Sequence, residues 1–238
     1  MKNIWVMSKK EFVSYFSSPI AYVAITVFLV VVGLKFFVVD SFFEEGNASL
    51  RSFFELVPAF FVFYLPAVAM RLVSEEKRQG TFELLATLPV NDAEIVLGKF
   101  IGALGFLVVT LLLTIVYPIL VSVLGNPDGG AILGGYIGLF LVGAAFLAVG
   151  IMCSSWTQSQ IVAYILGAVI SSFFFFMNKI LEAFWEGAKT VAEYVSFESH
   201  FANFAKGVVD TRDIIFFVTV IALSLIVATF SLNRRRWS

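Results

Sequence analysis

The side chains able to carry chemistry are few. Ser154 and Ser155 are adjacent hydroxyls, but no His or Lys stands near them in sequence to act as a base, so they read as a helix terminus rather than a nucleophile. His200 is the one histidine. It lacks the companions a metal site needs and reads as a surface residue. The lone Cys153 excludes an internal disulfide and a cysteine metal cluster. Lys35 is the one charge well inside an apolar run, near its outer end, where a long stem can snorkel. No G-x-x-x-x-G-K-[ST] occurs, so the chain has no phosphate-cradling loop. What remains is SEEKRQGTFELLATLPV at 74–90, a charged, turn-rich stretch between two greasy runs. Thr81, Leu84, Leu85 and Leu88 recur at i, i+3, i+4 and i+7, which predicts a helix of about two turns with one apolar edge. Pro89 stops it, and Gly80 supplies the bend that separates it from the charged SEEKRQ. The chemistry on offer is contact. A short helix tied at both ends to rigid elements can pass force to or from a partner; an ordinary solvated loop with a helical turn is the plainer alternative.

The elements that hold this stretch follow from composition. Of 238 residues, 60% are hydrophobic and 14% charged, with mean hydropathy +0.94. Soluble domains are about one-quarter charged, so the chain falls in the membrane class with no room for a separate soluble domain. A net charge of −1 argues against a nucleic-acid partner. The N-terminus, MKNIWVMSKKEFVSYFSSP, lacks the apolar core and cleavage site of a signal peptide and is expected to be retained.

Six windows are apolar and long enough, or nearly so, to cross a bilayer: Ile20–Val39, Phe54–Leu72, Ile95–Leu124, Ala131–Cys153, Ile161–Met177 and Ile214–Leu232. The third is long enough to protrude or to break near Tyr117 and Pro118; the fifth is short. Lys2, Lys9, Lys10, Arg71, Lys77, Arg78, Lys99 and Arg234 to Arg236 fall on one side, against the sparser Arg51, Lys179, Lys189, Lys206 and Arg212. Basic residues stay on the cytoplasmic side, so both termini and 74–90 are expected there, with 40–53, 125–130 and 178–213 outside.

Two segments are expected to lie in the interface. Ile4, Trp5, Ser8, Phe12, Tyr15 and Phe16 share one helical face, with Lys10, Glu11 and Ser14 opposite, and Pro19 ends that helix before the first span. Tyr194, Phe197, Phe201, Phe204 and Val208 recur helically before the last span, with Ser199, Asn203 and Lys206 opposite, as an outer amphipathic or re-entrant helix. Asn91 with Glu94 has the form of a capped start to the third span. Gly98 with Gly102 and Gly134 with Gly138 permit close helix approach, of the kind ordinary packing within one chain uses. Phe173 to Phe176 suit lipid-facing or bundle-filling positions better than a substrate path.

At 74–90 the sequence resembles a known family. SEEKRQGTFELLATLPV followed by IVLGKF is similar to the signature of ABC-2 type transporter permeases, and AVGIMCSSWTQSQIVAYILG at 148–167 is similar to their turn between the fourth and fifth spans. The resemblance covers nearly the whole chain. SSPIAYVAITVFLVVVGL looks most similar to the gliding-motility-type (GldF-like) permeases, with the NosY-like copper-enzyme maturation permeases next.

The resemblance implies an all-α polytopic fold over 1–238 as one transmembrane domain: an interfacial helix at 1–18, six spans, a cytoplasmic coupling segment at 73–94 and an outer segment at 178–213. It implies a permease subunit in the bacterial inner membrane, not itself an enzyme. Such a subunit pairs with a second copy or a paralogue and docks on cytoplasmic ATPase subunits that bind ATP and Mg; a membrane-anchored periplasmic protein is a further possible partner. Residues 81–88 would be the coupling helix. Glu75, Glu76 and Arg78 match its charged approach, Gly80 and Thr81 its turn, and Glu83, Leu84, Leu85 and Leu88 its docking surface. A hydrophobic or large substrate, exported or extracted, is expected. A subunit that only transmits force would look the same. An ion-coupled transporter would need ionisable groups at the membrane midplane, and an intramembrane enzyme a catalytic pair at depth, and neither pattern is present.

Overall fold

The structure is a computed structural model that describes residues 2–39, 50–81, 91–125, 127–184 and 194–233. Six helical stretches are long and apolar enough to cross a membrane: Pro19–Val38, Arg51–Arg78, Asp92–Leu124, Gly129–Trp156, Gln160–Leu181 and Thr211–Asn233. Each expected window falls on one of them. The helices are α1 (Lys2–Ser17), α2 (Pro19–Leu34), α3 (Arg51–Ala69), α4 (Arg71–Arg78), α5 (Asp92–Thr114), α6 (Val116–Leu124), α7 (Gly129–Trp156), α8 (Gln160–Phe184), α9 (Phe197–Ala205) and α10 (Thr211–Asn233). Lys35 lies in a π-helical turn, Lys35–Val39, that follows α2.

Proline places two of the breaks. Pro118 has no N–H to return to the Thr114 carbonyl, so the third span pauses at Ile115 and resumes as α6. Ser18 and Pro19 separate α1 from α2, with the Ser18 hydroxyl accepting the Ile20 N–H. The fifth span is not short, since α8 runs on through Asn178 and Lys179 to Phe184. Its charge beyond the apolar window is paired, Lys179 Nζ standing 2.7 Å from Glu198.

Helix α7 is the hub. It packs against α3, α4, α5, α8, α9 and α10, which its small residues permit. A Cβ on Gly135 would stand 2.3 Å from the Phe54 ring, and one on Gly150 would stand 2.6 Å from the Ala69 methyl. Around it the core is aromatic: Phe28 stacks on Phe61 and Tyr64 at 5.6 and 5.1 Å, and such pairs add about 0.5–1.5 kcal/mol each beyond their burial.

The two amphipathic helices depart from expectation in detail. α1 docks along α5, where Gly98 and Gly102 leave room: a Cβ on either would come within 2.6 Å of the Met7 or Glu11 Cβ. The buried face therefore carries Ser8 and Tyr15 together with Glu11, which the wheel placed on the polar side, while Trp5 is 70% exposed. A wheel ranks residues by polarity and cannot see that Glu11 meets a buried cation. In α9, Phe197, Phe201 and Phe204 are buried as expected, whereas Tyr194 and Val208, beyond its ends, are exposed. Gly134 and Gly138 pack on Phe204, Gly207 and Phe201 within the same chain.

Candidate functional site

The charged segment grows out of α4, at the end of the bundle that also carries α1. The helix stops where Gly80 takes φ 70°, a left-handed conformation that glycine adopts without strain. The Thr81 hydroxyl then donates to the Glu76 carbonyl at 3.3 Å. Glu83, Leu84, Leu85 and Leu88 lie outside the described residues. The chain is described again at Asn91, whose N–H donates to the Glu94 carboxylate at 3.3 Å as the return half of a capping box that opens α5.

Before the bend, the two glutamates face different ways. Glu75 Oε1 accepts from Arg78 at 2.7 Å and from Gln79 at 2.5 Å, and its other oxygen accepts from Gln160 at the start of α8. Glu76 turns inward. Its Oε1 stands 2.8 Å from Lys99 Nζ, and the same ammonium is 2.8 Å from Glu11 Oε1. Lys99 is 3% exposed. The sequence groups it with the basic residues of one flank; in the fold it is a buried cation held by two carboxylates. An ammonium removed from water needs such partners, and these two come from α1 and α4, so three helices are fixed at one point. Arg78, Gly80 and Thr81 are exposed.

A second brace joins α4 to the turn between α7 and α8. The Ser154 hydroxyl donates to the Met70 carbonyl at 2.7 Å and accepts from the Val73 and Ser74 N–H groups at 3.2 and 2.9 Å. It is inserted into the backbone ladder where α3 gives way to α4, one of the recognised causes of a helix break. The Lys77 ammonium and the Ser231 hydroxyl of α10 both donate to the Ser155 carbonyl. Ser154 and Ser155 do close α7, as expected, but they also dock its end on α4. Sequence reasoning missed that role, because the residues they bind are about 80 positions away.

Tyr15 completes the collar. Its hydroxyl donates to the Val68 carbonyl at 3.1 Å, and the Arg71 guanidinium lies over its ring at 4.8 Å. Burial pushes the Tyr15 phenol well above its ordinary value, and Arg71 opposes that only in part.

At the opposite end His200, expected at the surface, is largely buried, its side chain 14% exposed. Its Nδ1 is 2.6 Å from Asp213 Oδ1, its Nε2 is 3.1 Å from the Tyr194 carbonyl, and its ring stacks on Phe216 at 4.0 Å. Asn203 donates to the other Asp213 oxygen at 2.9 Å. The set ties α9 to α10. Among the described residues no group of three or more His, Cys, Asp or Glu side chains is placed to hold a metal ion.

The arrangement is a stem, α4, clamped to α1 and α5 through Lys99 and to α7 and α10 through Ser154 and Ser155, and leading at Gly80 into residues 81–90. The model of the ABC-2 family transporter proteins matches residues 5–237, from α1 past the end of α10. No curated protein matches the chain. With six apolar spans and a family match over nearly its whole length, the chain belongs to the ABC-2 transporter family, as a multi-pass permease subunit of an ABC transporter that works with a cytoplasmic ATPase.

Proposed function

We propose that residues 81–88 form a coupling helix seated in a cleft of the ATPase, with Arg78, Gly80, Thr81, Glu83, Leu84, Leu85 and Leu88 at or beside the contact. Glu75 and Glu76 form its root. The partner binds ATP and Mg and hydrolyses the nucleotide; this chain turns the motion into rearrangement of its spans. Both termini are cytoplasmic, two permease chains assemble with two ATPase chains, and the cargo is hydrophobic or large. The GldF-like permeases are the subfamily the sequence most resembles.

The observation that supports this reading is the double ion pair on Lys99. A loop with no mechanical task needs no buried cation at its root, whereas a lever must be rigid where it enters the bundle. Topology is tested with cysteines placed singly at Ser49, Ser199 and Gln79 in a Cys153→Ser background. An impermeant thiol reagent should label the first two in intact cells and spare the third. Native mass spectrometry of the purified complex should give two chains of each kind. Labelling at Gln79 in intact cells, or a permease that transports without an ATPase, would overturn the proposal.

A further inference from the structure

At the end of the bundle opposite the coupling segment, the starts of α3 and α7, the far half of α8 and α9 enclose a cavity of about 790 Å³. Its apolar wall is formed by Phe54, Pro58, Ile132, Phe175 and Phe201. Arg51 and Ala59 both line it, eight residues apart on α3, which at about 1.5 Å per residue is about 12 Å along the helix. The polar layer of one leaflet is roughly 5–8 Å deep, so the cavity reaches from the headgroups to the first carbons of the chains.

Among the described residues the charges on its wall are balanced: Arg51, Lys179 and Lys206 are basic and Glu55, Asp128 and Glu198 acidic, three of each. An anionic head would meet three carboxylates and a cationic head three cations. A zwitterion can exchange partners pair for pair. One pair is placed for such an exchange: Lys179 with Glu198 at 2.7 Å, part exposed, where a pair of this kind is weak. Glu198 adds a specific demand. Its Oε1 is taken by Lys179, while Oε2 is enclosed with no hydrogen-bond partner among the described residues. An ionised oxygen in that position favours an N–H donor.

We propose that this cavity binds the head of a zwitterionic phospholipid whose cationic end carries N–H donors, a phosphoethanolamine head, from the leaflet at that end of the bundle. The phosphate faces Lys179 and Lys206, the ammonium is held by Glu198, and the upper acyl carbons lie on Phe175 and Phe201. Choline heads satisfy the charge balance but carry no N–H.

The test uses the full-length chain, purified in mild detergent, stripped of lipid and titrated with phosphatidylethanolamine, phosphatidylcholine and phosphatidylglycerol of identical acyl chains, with native mass spectrometry reading the adducts. One tight phosphatidylethanolamine per chain is expected. It should bind about tenfold more tightly than the choline lipid, the worth of one charge-assisted hydrogen bond. Glu198→Gln should bring it down to the choline level. Ala202→Trp, which fills the cavity, should remove the tight adduct while the unliganded melting temperature stays within a few degrees. Equal affinity for all three lipids, preference for the glycerol lipid, or an ethanolamine preference that survives Glu198→Gln would overturn the proposal. The inference rests on the membrane reading of the bundle but not on the ATPase contact, so its failure leaves co-purification with the ATPase untouched.

Discussion

Lys99 Nζ stands 2.8 Å from Glu76 Oε1 and equally far from Glu11 Oε1, so one buried ammonium joins the root of the charged segment to the first helix and to the third span. Removing one member of such a set costs more than the set contributes, because the groups left behind remain buried and charged.

Lys99→Met should therefore leave Glu11 and Glu76 facing each other and destabilise the fold by about 3–5 kcal/mol. The triple replacement Lys99→Met, Glu11→Gln, Glu76→Gln removes every charge and should recover most of the loss. Thermal unfolding of the purified chain in one detergent checks both.

Ser154→Ala should leave the Val73 N–H, now bonded to the Ser154 hydroxyl at 3.2 Å, without that acceptor, at about 1–3 kcal/mol for a buried unsatisfied donor. Ser155→Ala should be milder, since that hydroxyl donates only within its own helix turn, to the Met152 carbonyl. The two variants, compared by melting temperature, separate the docking role from plain helix termination.

The spans, the bend at Gly80, the capped start at Asn91 and the aromatic face of α9 were legible in the sequence, because each is a local pattern of hydropathy, proline, glycine or helical spacing. The clamp was not. Lys99 and Glu11 are 88 residues apart, and nothing local marks either as one half of a pair. Counting lysines groups Lys99 with the basic residues of one flank and says nothing of its burial between Glu11 and Glu76. The one signal available was its place directly after Gly98, the glycine on which α1 lies, since a lysine at a close helix crossing has little water to reach.

Gly102→Leu places a side chain where even a Cβ would come within 2.6 Å of the Glu11 Cβ. It should push α1 off α5 and break the Glu11 arm of the clamp. Gly129→Ala, where a Cβ meets nothing within 4 Å, should be silent. Limited proteolysis after Lys9 and Lys10 reads the difference as faster cleavage in the first variant alone.

Tyr15 has its phenol pKa raised by burial, so the protonated form is favoured in the folded state. Its contribution is full below the unfolded value of about 10 and is lost as pH rises above that toward the folded value. Tyr15→Phe should lower stability at neutral pH by about 1 kcal/mol, through loss of the bond to the Val68 carbonyl. It should also flatten the fall in stability above pH about 10. Unfolding followed across that range in both proteins is the measurement.

The central claim is that 81–88 docks on the ATPase from a rigid stem, and Leu85→Asp tests it most directly. The substitution puts an unpaired carboxylate on the apolar edge of the helix and leaves the spans intact. Tagged permease carrying Leu85→Asp should insert with wild-type topology yet retain less than about one-tenth of the ATPase on co-purification, the loss expected when a buried contact residue is charged. Thr87→Ser should retain all of it. Wild-type retention by a correctly inserted Leu85→Asp protein would contradict the account and return SEEKRQGTFELLATLPV to a charged loop between two spans.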